Sequence, residues 1–349
     1  MEIIEEIVIP QKVQEYDMVN SFFKDKKVAM FDIETTGLSP MTSFTYIIGI
    51  NVFENGKWKI IQLFNDDGKS EPEMISTFQK YLEDIDILIE FNGDTFDIPY
   101  IKKRMSAVNQ KFHISLTDNF NTVETCDLLK IVRKYKYSLG LPNVKQKTVE
   151  KYLGIDRVDM YNGGQLIDVY LGYLAMRDEK SRSLVLQHNR DDMEGMIFLS
   201  SILKFEALIS GDFKIEKIST EMKKNTEDLL LIINGRLEHP LNRDLFSTAY
   251  SIDVMAEENR LSIKIPVLSG NLKFYYGRSE KEGYDFCKGL FVPQPGFVTE
   301  KIPCFKYNFR DKTGYIRLSD DFLGNDENIY HYSVNICKNV MLFKGKNQF

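Results

Sequence analysis

Short apolar segments separated by turn-forming residues dominate the first part of the chain. Residues 27–34, 46–53 and 58–64 are such segments, rich in β-branched and aromatic side chains. Asn55 and Gly56 lie between the second and third segments, and an Asn-Gly pair in this position is typical of a two-residue hairpin turn. The pattern therefore predicts three consecutive β-strands that pair antiparallel.

Farther along the chain, single apolar segments alternate with stretches of helical period. We expect strands at residues 85–91 and 121–127, and helices at residues 71–81, 96–105, 128–135, 147–153, 165–176 and 183–208. Three strands followed by helix, strand, helix, strand and further helices is the order of an α/β layer with a mixed sheet. Residues 1–210 are therefore expected to form an α/β domain that includes a short N-terminal lead-in at residues 1–26.

The pattern changes near Gly211. From there to residue 349 the apolar segments are short, as at residues 229–233, 251–255 and 261–265, and turns separate them. Short strands bounded by turns are typical of a β-rich domain. We therefore expect a second, smaller, β-rich domain over residues 211–349, whose role does not follow from the pattern.

The composition is that of an ordinary globular protein. The 349 residues are enough for two domains, with 43% hydrophobic and 28% charged residues. The four cysteines lie far apart, without the spacing of a metal site. The N-terminus is acidic where a signal peptide is basic, and no apolar run approaches the length of a membrane span. These features predict a cytoplasmic protein with reduced thiols.

Two acids follow the apolar residues of the first predicted strand. Asp32 and Glu34 are separated by one residue, so in a β-strand both side chains point to the same face. Adjacent carboxylates repel each other unless a cation lies between them, and hard divalent cations such as Mg²⁺ and Mn²⁺ prefer oxygen ligands. The spacing therefore indicates a metal site, with an exposed edge strand as the alternative.

Further acids that could complete such a site lie on two later segments. Asp97 falls in the first turn of a predicted helix, where the helix dipole stabilises a negative charge. An ordinary helix-terminal acid would occupy the same position, and the same holds for Asp94. Asp192 follows His188 by four residues in a third segment. A lone histidine is more often structural than catalytic, so the role of this pair stays open at this point.

Three motifs together resemble those of the DEDD-type 3′–5′ exonucleases, which have the ribonuclease H-like fold. They are Phe31-Asp32-Ile33-Glu34-Thr35-Thr36-Gly37-Leu38, Asn92-Gly93-Asp94-Thr95-Phe96-Asp97 and His188-Asn189-Arg190-Asp191-Asp192. Within this family the chain is most similar to the bacterial YprB-like exonuclease group, in which a tyrosine stands where this sequence has His188. The resemblance stops near residue 210, so it implies nothing about the β-rich part.

The resemblance implies a set of site residues and a cofactor. Four acids, Asp32, Glu34, Asp97 and Asp192, would hold two Mg²⁺ or Mn²⁺ ions for the hydrolysis of phosphodiester bonds. His188 would act as general base, in place of the tyrosine of the group. The segment after the first acids would hold the terminal nucleotide, and the second motif would supply further substrate contacts. These substrate-binding residues are Thr35, Thr36, Gly37, Leu38, Asn92 and Phe96.

The expected partner is nucleic acid, DNA or RNA, engaged at a single-stranded 3′ end. A net charge of −6 is unusual for such a protein. However, residues 130–151 carry seven basic residues and one acid, interleaved with tyrosines, as in grooves that follow a phosphate backbone. The β-rich domain is a second candidate for substrate binding, with a packed core as the alternative. Its aromatic residues are dense between Phe274 and Phe309 and are accompanied by Lys273, Arg278, Lys306 and Arg310.

Two other functions fit the same motifs. An endonuclease could use the same fold and metal chemistry, because a metal site does not determine whether a free end is required. A nucleic-acid-binding module without catalysis is the second alternative. Clustered acids count against this alternative, because they would repel the phosphates that such a module has to bind.

Overall fold

The chain folds into two compact units. The computed structural model describes residues 1–8, 17–154, 163–223, 228–277, 279–296 and 303–344. The first unit comprises Met1–Arg133 and Val144–Leu203, and the second comprises Lys134–Asn143 and Lys204–Phe349. The division of the chain into domains at residue 210 remains a proposal.

A six-stranded mixed sheet forms the centre of the first unit. Neighbouring strands in the order β1-β4-β3-β2 pair antiparallel, and β5 and then β6 continue the sheet parallel to β2. The predicted antiparallel strands are confirmed as β2, β3 and β4. The strands are β1 (Glu2–Ile7), β2 (Val28–Thr35), β3 (Thr45–Glu54), β4 (Lys57–Phe64), β5 (Ile87–Glu90) and β6 (Glu124–Asp127).

Helices cover both faces of this sheet. The helices that precede residue 200 are α1 (Asp17–Phe22), α2 (Glu71–Leu82), α3 (Asp97–Phe112), α4 (Leu128–Tyr135), α5 (Gln146–Tyr152), α6 (Gly163–Met176) and α7 (Glu179–Leu199). Successive residues of β3 show how the faces are divided. Ile48 belongs to the apolar cluster that includes α2 and α3, whereas Ile47 belongs to the cluster that includes α6 and α7. A strand covered on both faces reads as a continuous apolar run, as residues 46–53 do.

Two parts of the first unit differ from the sequence-based prediction. The expected lead-in contains β1, which pairs with β4 over its whole length. An edge strand is stabilised by backbone hydrogen bonds to its neighbour, so its own side-chain pattern is weak. The helix expected over residues 183–208 is interrupted, because α7 ends at Leu199 and a 3₁₀ turn, Ser200–Ile202, follows. Oγ of Ser200 donates to the carbonyl oxygen of Ile197 at 2.5 Å, a local bond that competes with the helical ladder.

An antiparallel sheet of seven strands dominates the second unit, as predicted for a β-rich part. Strand β11 is central, because its first half pairs with β8 and β10 and its second half with β12. The elements are α8 (Leu203–Ser210), β7 (Phe213–Met222), β8 (Leu229–Leu237), β9 (Leu245–Ala249), β10 (Ile252–Glu257), β11 (Arg260–Tyr275), β12 (Tyr284–Gln294), β13 (Gly314–Arg317), α9 (Asp320–Leu323) and α10 (Asp326–Met341).

Helix α10 was missed by the sequence analysis. Its residues Ile329, Ile336 and Val340 are buried, and their spacing places them along one side of a helix. The side chain of Asn325 caps the helix by accepting from the backbone N–H of Asn328 at 3.0 Å. Among the helices of the described residues, none has the length and apolar character needed to cross a lipid bilayer.

Candidate metal centre

Asp32 and Glu34 lie on β2, inside the sheet between β3 and β5. Phe31 and Ile33 are buried in the cluster with α2 and α3, while the two acids are half-buried. Because side chains alternate along a strand, the acids face the side of the sheet that α7 covers. The expectation that both carboxylates share one face of a strand is met.

Helix α7 brings two further groups to Glu34. About one helical turn separates His188 from Asp192, so both side chains leave the same face of the helix. Nε2 of His188 lies 3.2 Å from Oδ2 of Asp192 and 3.6 Å from Oε1 of Glu34. One donor atom from each of the three residues lies within 4.8 Å of the others. The structure therefore brings together three of the five residues expected to be catalytic.

Asp32 is connected to the same helix through Asn189. Nδ2 of Asn189 donates to Oδ2 of Asp32 at 3.5 Å, and Oδ1 of Asn189 accepts from Nε2 of Gln62 at 3.0 Å. Asn189 is buried, so its amide both orients the acid and anchors α7 on the sheet. Gly49, which pairs with Asp32 across the sheet, leaves room for this contact. A Cβ atom at Gly49 would lie 2.6 Å from Oδ1 of Asn189.

Asp97, the first residue of α3, contacts β2 between the two acids. Its Oδ1 accepts from the backbone N–H of Ile33 at 3.3 Å. The side chain is buried, and this burial, with a smaller contribution from the charge of Asp127, raises the pKa of Asp97 to about 7. Burial disfavours the charged carboxylate, and a nearby cation would favour it. Asp97 is therefore attached to the strand that carries the first two acids, and its role as a metal ligand remains a proposal.

Three residues of this site were given no role by the sequence analysis. Tyr46 and Gly49 lie in an apolar strand, where they resemble ordinary core residues. The hydroxyl of Tyr46 donates to Oε2 of Glu34 at 3.4 Å, and burial raises the pKa of Tyr46 far above its usual value, so the hydroxyl stays a donor. Asn189 lies within the third motif, and its position on the buried side of α7 is the signal that could have identified it.

The predicted substrate residues after the first acids form a tight turn. Oγ1 of Thr35 donates to the carbonyl oxygen of Gly37 at 3.0 Å. Thr36 exchanges hydrogen bonds with the backbone of Phe44, both through its N–H and through its hydroxyl. Leu38 follows and is 84% exposed. The turn therefore holds both threonines in place and leaves an apolar side chain open to solvent.

Asn92 and Phe96 lie in the turn that joins β5 to α3. Asn92 has a φ of +72°, and its backbone N–H donates to Oδ1 of Asp127 at 3.0 Å. Phe96 is half-buried, with its ring centroid 5.5 Å from that of Tyr100. These contacts hold the turn in place, and contact with substrate remains a proposal for both residues.

A second group of acids lies at the ends of β5 and β6. One carboxylate oxygen each from Glu90, Asp94 and Asp127 lies within 4.8 Å of the others. Asp94 also pairs with the ammonium group of Lys130. Burial, with the neighbouring charge of Asp127, raises the pKa of Glu90 to about 8. A protonated Glu90 relieves the repulsion within this group, so the group does not require a cation.

The basic segment at residues 130–151 fits its predicted role only in part. Tyr135 is buried, and its hydroxyl donates to Oε1 of Glu206 at 3.0 Å. Lys134 pairs with the same carboxylate at 2.8 Å. The prediction of a stacking platform is therefore wrong for Tyr135, because its ring is part of the core. Tyr137 is half exposed, and Nζ of Lys136 lies 5.7 Å from the centroid of its ring.

The donor set around Glu34 suits a divalent cation. Glu34 and Asp192 supply the carboxylate oxygens that Mg²⁺ and Mn²⁺ prefer, and Asp32 lies on the same face of the same strand. Carboxylates this close repel one another in the absence of a cation. The residues present therefore fit a site for one or more divalent ions.

Comparison with known families identifies the fold. The sequence profile described as RNase_H superfamily matches residues 29–204. The chain belongs to the RNase H superfamily. The matched residues include all five residues expected to be catalytic. They also include strands β3 to β6 and all of β2 except its first residue. The predicted ribonuclease H-like fold of the first unit is confirmed, and with it a nuclease-type enzyme family.

Two relatives of this RNase H superfamily member match only part of its length. The DNA polymerase of Thermococcus gorgonarius is 37% identical over 101 residues, which cover 26% of this chain and 13% of the polymerase. The uncharacterized protein YprB of Bacillus subtilis (strain 168) is 26% identical over 189 residues, which cover 53% of this chain and 42% of YprB. The chain thus spans less than half the length of either relative. The predicted similarity to the YprB-like group is confirmed at a moderate level.

Solved structures show more distant likeness. The family B DNA polymerase of Pyrobaculum calidifontis aligns with a TM-score of 0.46 and 11% identity, over 91% of this chain and 46% of the polymerase chain. Exonuclease I of E. coli in complex with a dT13 oligonucleotide aligns with a TM-score of 0.31 and 11% identity, over 61% of this chain and 55% of that chain. Both scores are below 0.5.

Proposed function

We propose that this chain is a metal-dependent 3′–5′ exonuclease that hydrolyses phosphodiester bonds of nucleic acid. The observation that carries the proposal is the convergence of Glu34, His188 and Asp192, from one strand and one helix, within 4.8 Å. Asp32 lies on the same strand, and Asp97 accepts a hydrogen bond from the residue between the two strand acids. Membership of the RNase H superfamily and three motifs in the expected order support the same conclusion.

The acids Asp32, Glu34, Asp97 and Asp192 are proposed to hold two Mg²⁺ or Mn²⁺ ions. Ions bound there would activate the attacking water and stabilise the leaving oxygen. The contribution of the chain is to orient the acids in advance. Asn189 donates to Asp32, Tyr46 donates to Glu34, and the N–H of Ile33 donates to Asp97. A site oriented by such surrounding hydrogen bonds reorganises little when substrate binds.

His188 is proposed as the general base. A neutral imidazole accepts a proton readily near physiological pH, and a positioned base contributes roughly 10²–10⁴-fold to a rate. The carboxylates of Glu34 and Asp192, 3.6 and 3.2 Å from Nε2, orient the ring and stabilise the charge that it gains. Because the same nitrogen belongs to the 4.8 Å group, a role as metal ligand is the alternative that an experiment has to separate.

The turn at Thr35, Thr36, Gly37 and Leu38 is proposed to hold the terminal nucleotide of a single-stranded 3′ end. An apolar side chain that is 84% exposed, such as Leu38, offers a surface on which a base can pack. Asn92 and Phe96 are proposed as further substrate contacts. The similarity to the DNA polymerase of Thermococcus gorgonarius makes DNA the first substrate to test, with RNA as the comparison.

The decisive experiment compares linear and circular single strands. The purified chain, with Mn²⁺ or Mg²⁺, is incubated with DNA and RNA that carry a label at the 5′ end, and with circular single-stranded DNA. We expect the linear strands to shorten stepwise from the 3′ end and the circles to persist. Asp32→Asn serves as the matched control, because it keeps the size of the side chain and removes its charge.

Each alternative function predicts a different result in this assay. If circles are cut at a rate comparable to linear strands, the chain is an endonuclease. If neither is cut with either metal while the strands are bound, the chain is a binding module, and the catalytic proposal is wrong. Cleavage that persists in Asp32→Asn would mean that the activity comes from a contaminant or another site.

A further inference from the structure

The second half of β11 and the first half of β12 form a two-stranded antiparallel ladder. Lys273 pairs with Phe286, Tyr275 with Tyr284, Asn271 with Lys288 and Ser269 with Leu290. Since side chains alternate along each strand, these eight residues lie on one face of the ladder. We call this surface the aromatic–basic face.

The opposite face of the ladder is part of the core. Leu272 and Phe291 are buried there, and the ring of Phe305 lies 5.7 Å from that of Phe274 and 5.3 Å from that of Phe291, measured between centroids. The aromatic residues between Phe274 and Phe309 therefore divide into two sets. One set packs the core, as the alternative in the sequence analysis proposed, and the other set remains outside it.

The aromatic–basic face is exposed in a way that packing does not explain. Phe286 is 61% exposed, Leu290 39% and Tyr284 37%. In the first half of β11 the residues of the same parity, Leu261 and Ile263 among them, are buried. The strand thus changes along its length from a face covered by protein to one open to solvent at Ser269 and Asn271. At the end of the strand Tyr275 is half-buried, with its ring centroid 5.2 Å from that of Phe309. Contiguous exposed aromatic residues of this kind mark binding surfaces.

The charges on this face favour an anionic partner. None of its eight residues is acidic, although the chain as a whole carries a net charge of −6. Nζ of Lys273 lies 4.6 Å from the ring centroid of Tyr284 and 5.8 Å from that of Phe286. Lys288 is exposed two positions beyond Phe286 on the same strand. Lysines beside exposed rings can meet phosphates while bases stack on the rings.

We propose that the aromatic–basic face binds single-stranded nucleic acid, with bases stacked on Tyr284 and Phe286 and with Lys273 and Lys288 near the phosphates. The inference rests on the proposed nuclease function, since it assigns a second binding site for the same substrate class. It also refines the earlier expectation for this domain. Lys306 instead donates to the carbonyl oxygens of Phe309 and Asp311 in a loop, Arg310 lies in the loop before β13, and Arg278 lies outside the described residues.

Binding is tested on the full chain with labelled oligothymidylate, in EDTA so that hydrolysis cannot occur. The variant combines Tyr284→Ala and Phe286→Ala. We expect the Kd to rise by about 5- to 150-fold for each ring removed, because base–aromatic stacking has that value in alanine substitutions. The matched control is Phe246→Ala on β9, a phenylalanine of the same unit that is 53% exposed and lies outside the face. It should leave the Kd unchanged.

A second variant keeps the test independent of any folding defect in the first. Lys288→Gln changes one exposed side chain, and removal of one phosphate contact should reduce the slope of log K against log salt by about 0.7 for a single strand. The proposal would be overturned if Lys288→Gln left the salt slope unchanged and the double variant of Tyr284 and Phe286 left the Kd unchanged. The same holds if the double variant binds normally but changes the oligomeric state, since the face would then join copies of the chain.

The outcomes also separate this inference from the nuclease proposal. If the wild-type chain degrades linear strands and the double variant binds oligothymidylate normally, the nuclease function stands and the aromatic–basic face is excluded. If the wild-type chain degrades nothing, but binds oligothymidylate more tightly than the double variant, the face stands and the nuclease function is excluded.

Discussion

Oδ1 of Asp97 accepts a hydrogen bond from the backbone N–H of Ile33 at 3.3 Å. Ile33 is the residue between Asp32 and Glu34, so the third acid is attached to the strand that carries the first two. The strand and the start of α3 are thereby held together at the residue between the two strand acids. This bond gives Asp97 a structural contribution that can be separated from its charge.

Replacement of Asp97 should distinguish these contributions. Asp97→Ala removes a buried acceptor, which should lower the free energy of unfolding by about 1–3 kcal/mol. Asp97→Asn keeps an oxygen acceptor and should retain most of the stability of the metal-free protein. Both variants should lose hydrolysis, because both lack the carboxylate. Urea unfolding in EDTA and a nuclease assay measure the two effects, and equal stability of both variants would argue against the structural contribution.

Neighbouring acids on α7 provide a matched pair for metal binding. Asp192→Asn removes a proposed ligand, and its affinity for Mn²⁺ should fall by more than about 100-fold, the upper range for loss of a residue that only supports a ligand. Asp191→Asn removes a half-exposed acid whose carboxylate contacts Gln187 and Arg190, and it should bind Mn²⁺ normally. Calorimetric titration measures both.

The same metal dependence should appear without any substitution. Chelation with EDTA should abolish hydrolysis by the wild-type chain, and added Mn²⁺ should restore it. Comparable Mn²⁺ affinity in Asp192→Asn and Asp191→Asn would place the ion elsewhere in the molecule.

Two substitutions of His188 separate a base from a ligand. If His188 is the general base, His188→Gln should lower kcat by roughly 10²–10⁴-fold at saturating Mn²⁺ and leave the affinity for Mn²⁺ unchanged. If it is a ligand, the affinity should fall as well. His188→Tyr introduces the residue found in the YprB-like group, which can orient a water through its hydroxyl, and should retain more activity than His188→Gln. Wild-type rates in both variants would leave His188 a structural residue.

Gly49 should be indispensable for the close approach of α7. In Gly49→Ala the new Cβ would lie 2.6 Å from Oδ1 of Asn189, so α7 has to shift, at a cost of about 1–3 kcal/mol for overpacking. The shift should also lower activity, because Asn189 orients Asp32. Gly172→Ala in α6 is the control, since a Cβ there meets no atom of the described residues within 4 Å apart from the adjoining backbone of its own helix, and alanine favours a helix. If Gly49→Ala unfolds at the same temperature as the wild-type chain and is fully active, this role of Gly49 is refuted.

The stability of the metal-free protein should depend on the charge of Glu90. Its pKa is raised from 4.5 to about 8 in the folded state, mainly by burial. The protonated form is therefore favoured by folding, so this stabilisation is complete below pH 4.5 and is lost as the pH rises through about 8. The loss is of the order of a few kcal/mol. The side chain of Glu90→Gln stays neutral at every pH. Between about pH 5 and pH 8, where the wild-type chain loses this stabilisation, the free energy of unfolding of the variant should therefore change less than that of the wild-type chain.

Local patterns in the sequence predicted much of the first unit. Side chains alternate along any strand, so the common face of Asp32 and Glu34 follows from covalent geometry alone. The hairpin at Asn55 and Gly56 depends on backbone conformations that these two residues adopt readily, and both have positive φ in the structure. The helix at residues 128–135 was predicted with the bounds that the structure shows. In each case the cause lies within a few residues of the chain.

Contacts between distant segments were decided only by the tertiary structure. His188 meets Glu34 because α7 packs against β2, which depends on the missing side chain of Gly49 and on the buried amide of Asn189. Packing likewise determines which face of β12 is covered, so that Phe291 is buried against Phe305 while Phe286, on the opposite face, is exposed. The sequence alone thus determined which residue types could form a metal site and a nucleic-acid-binding surface. Their spatial arrangement required the packing of elements far apart in the chain, which no local pattern encodes.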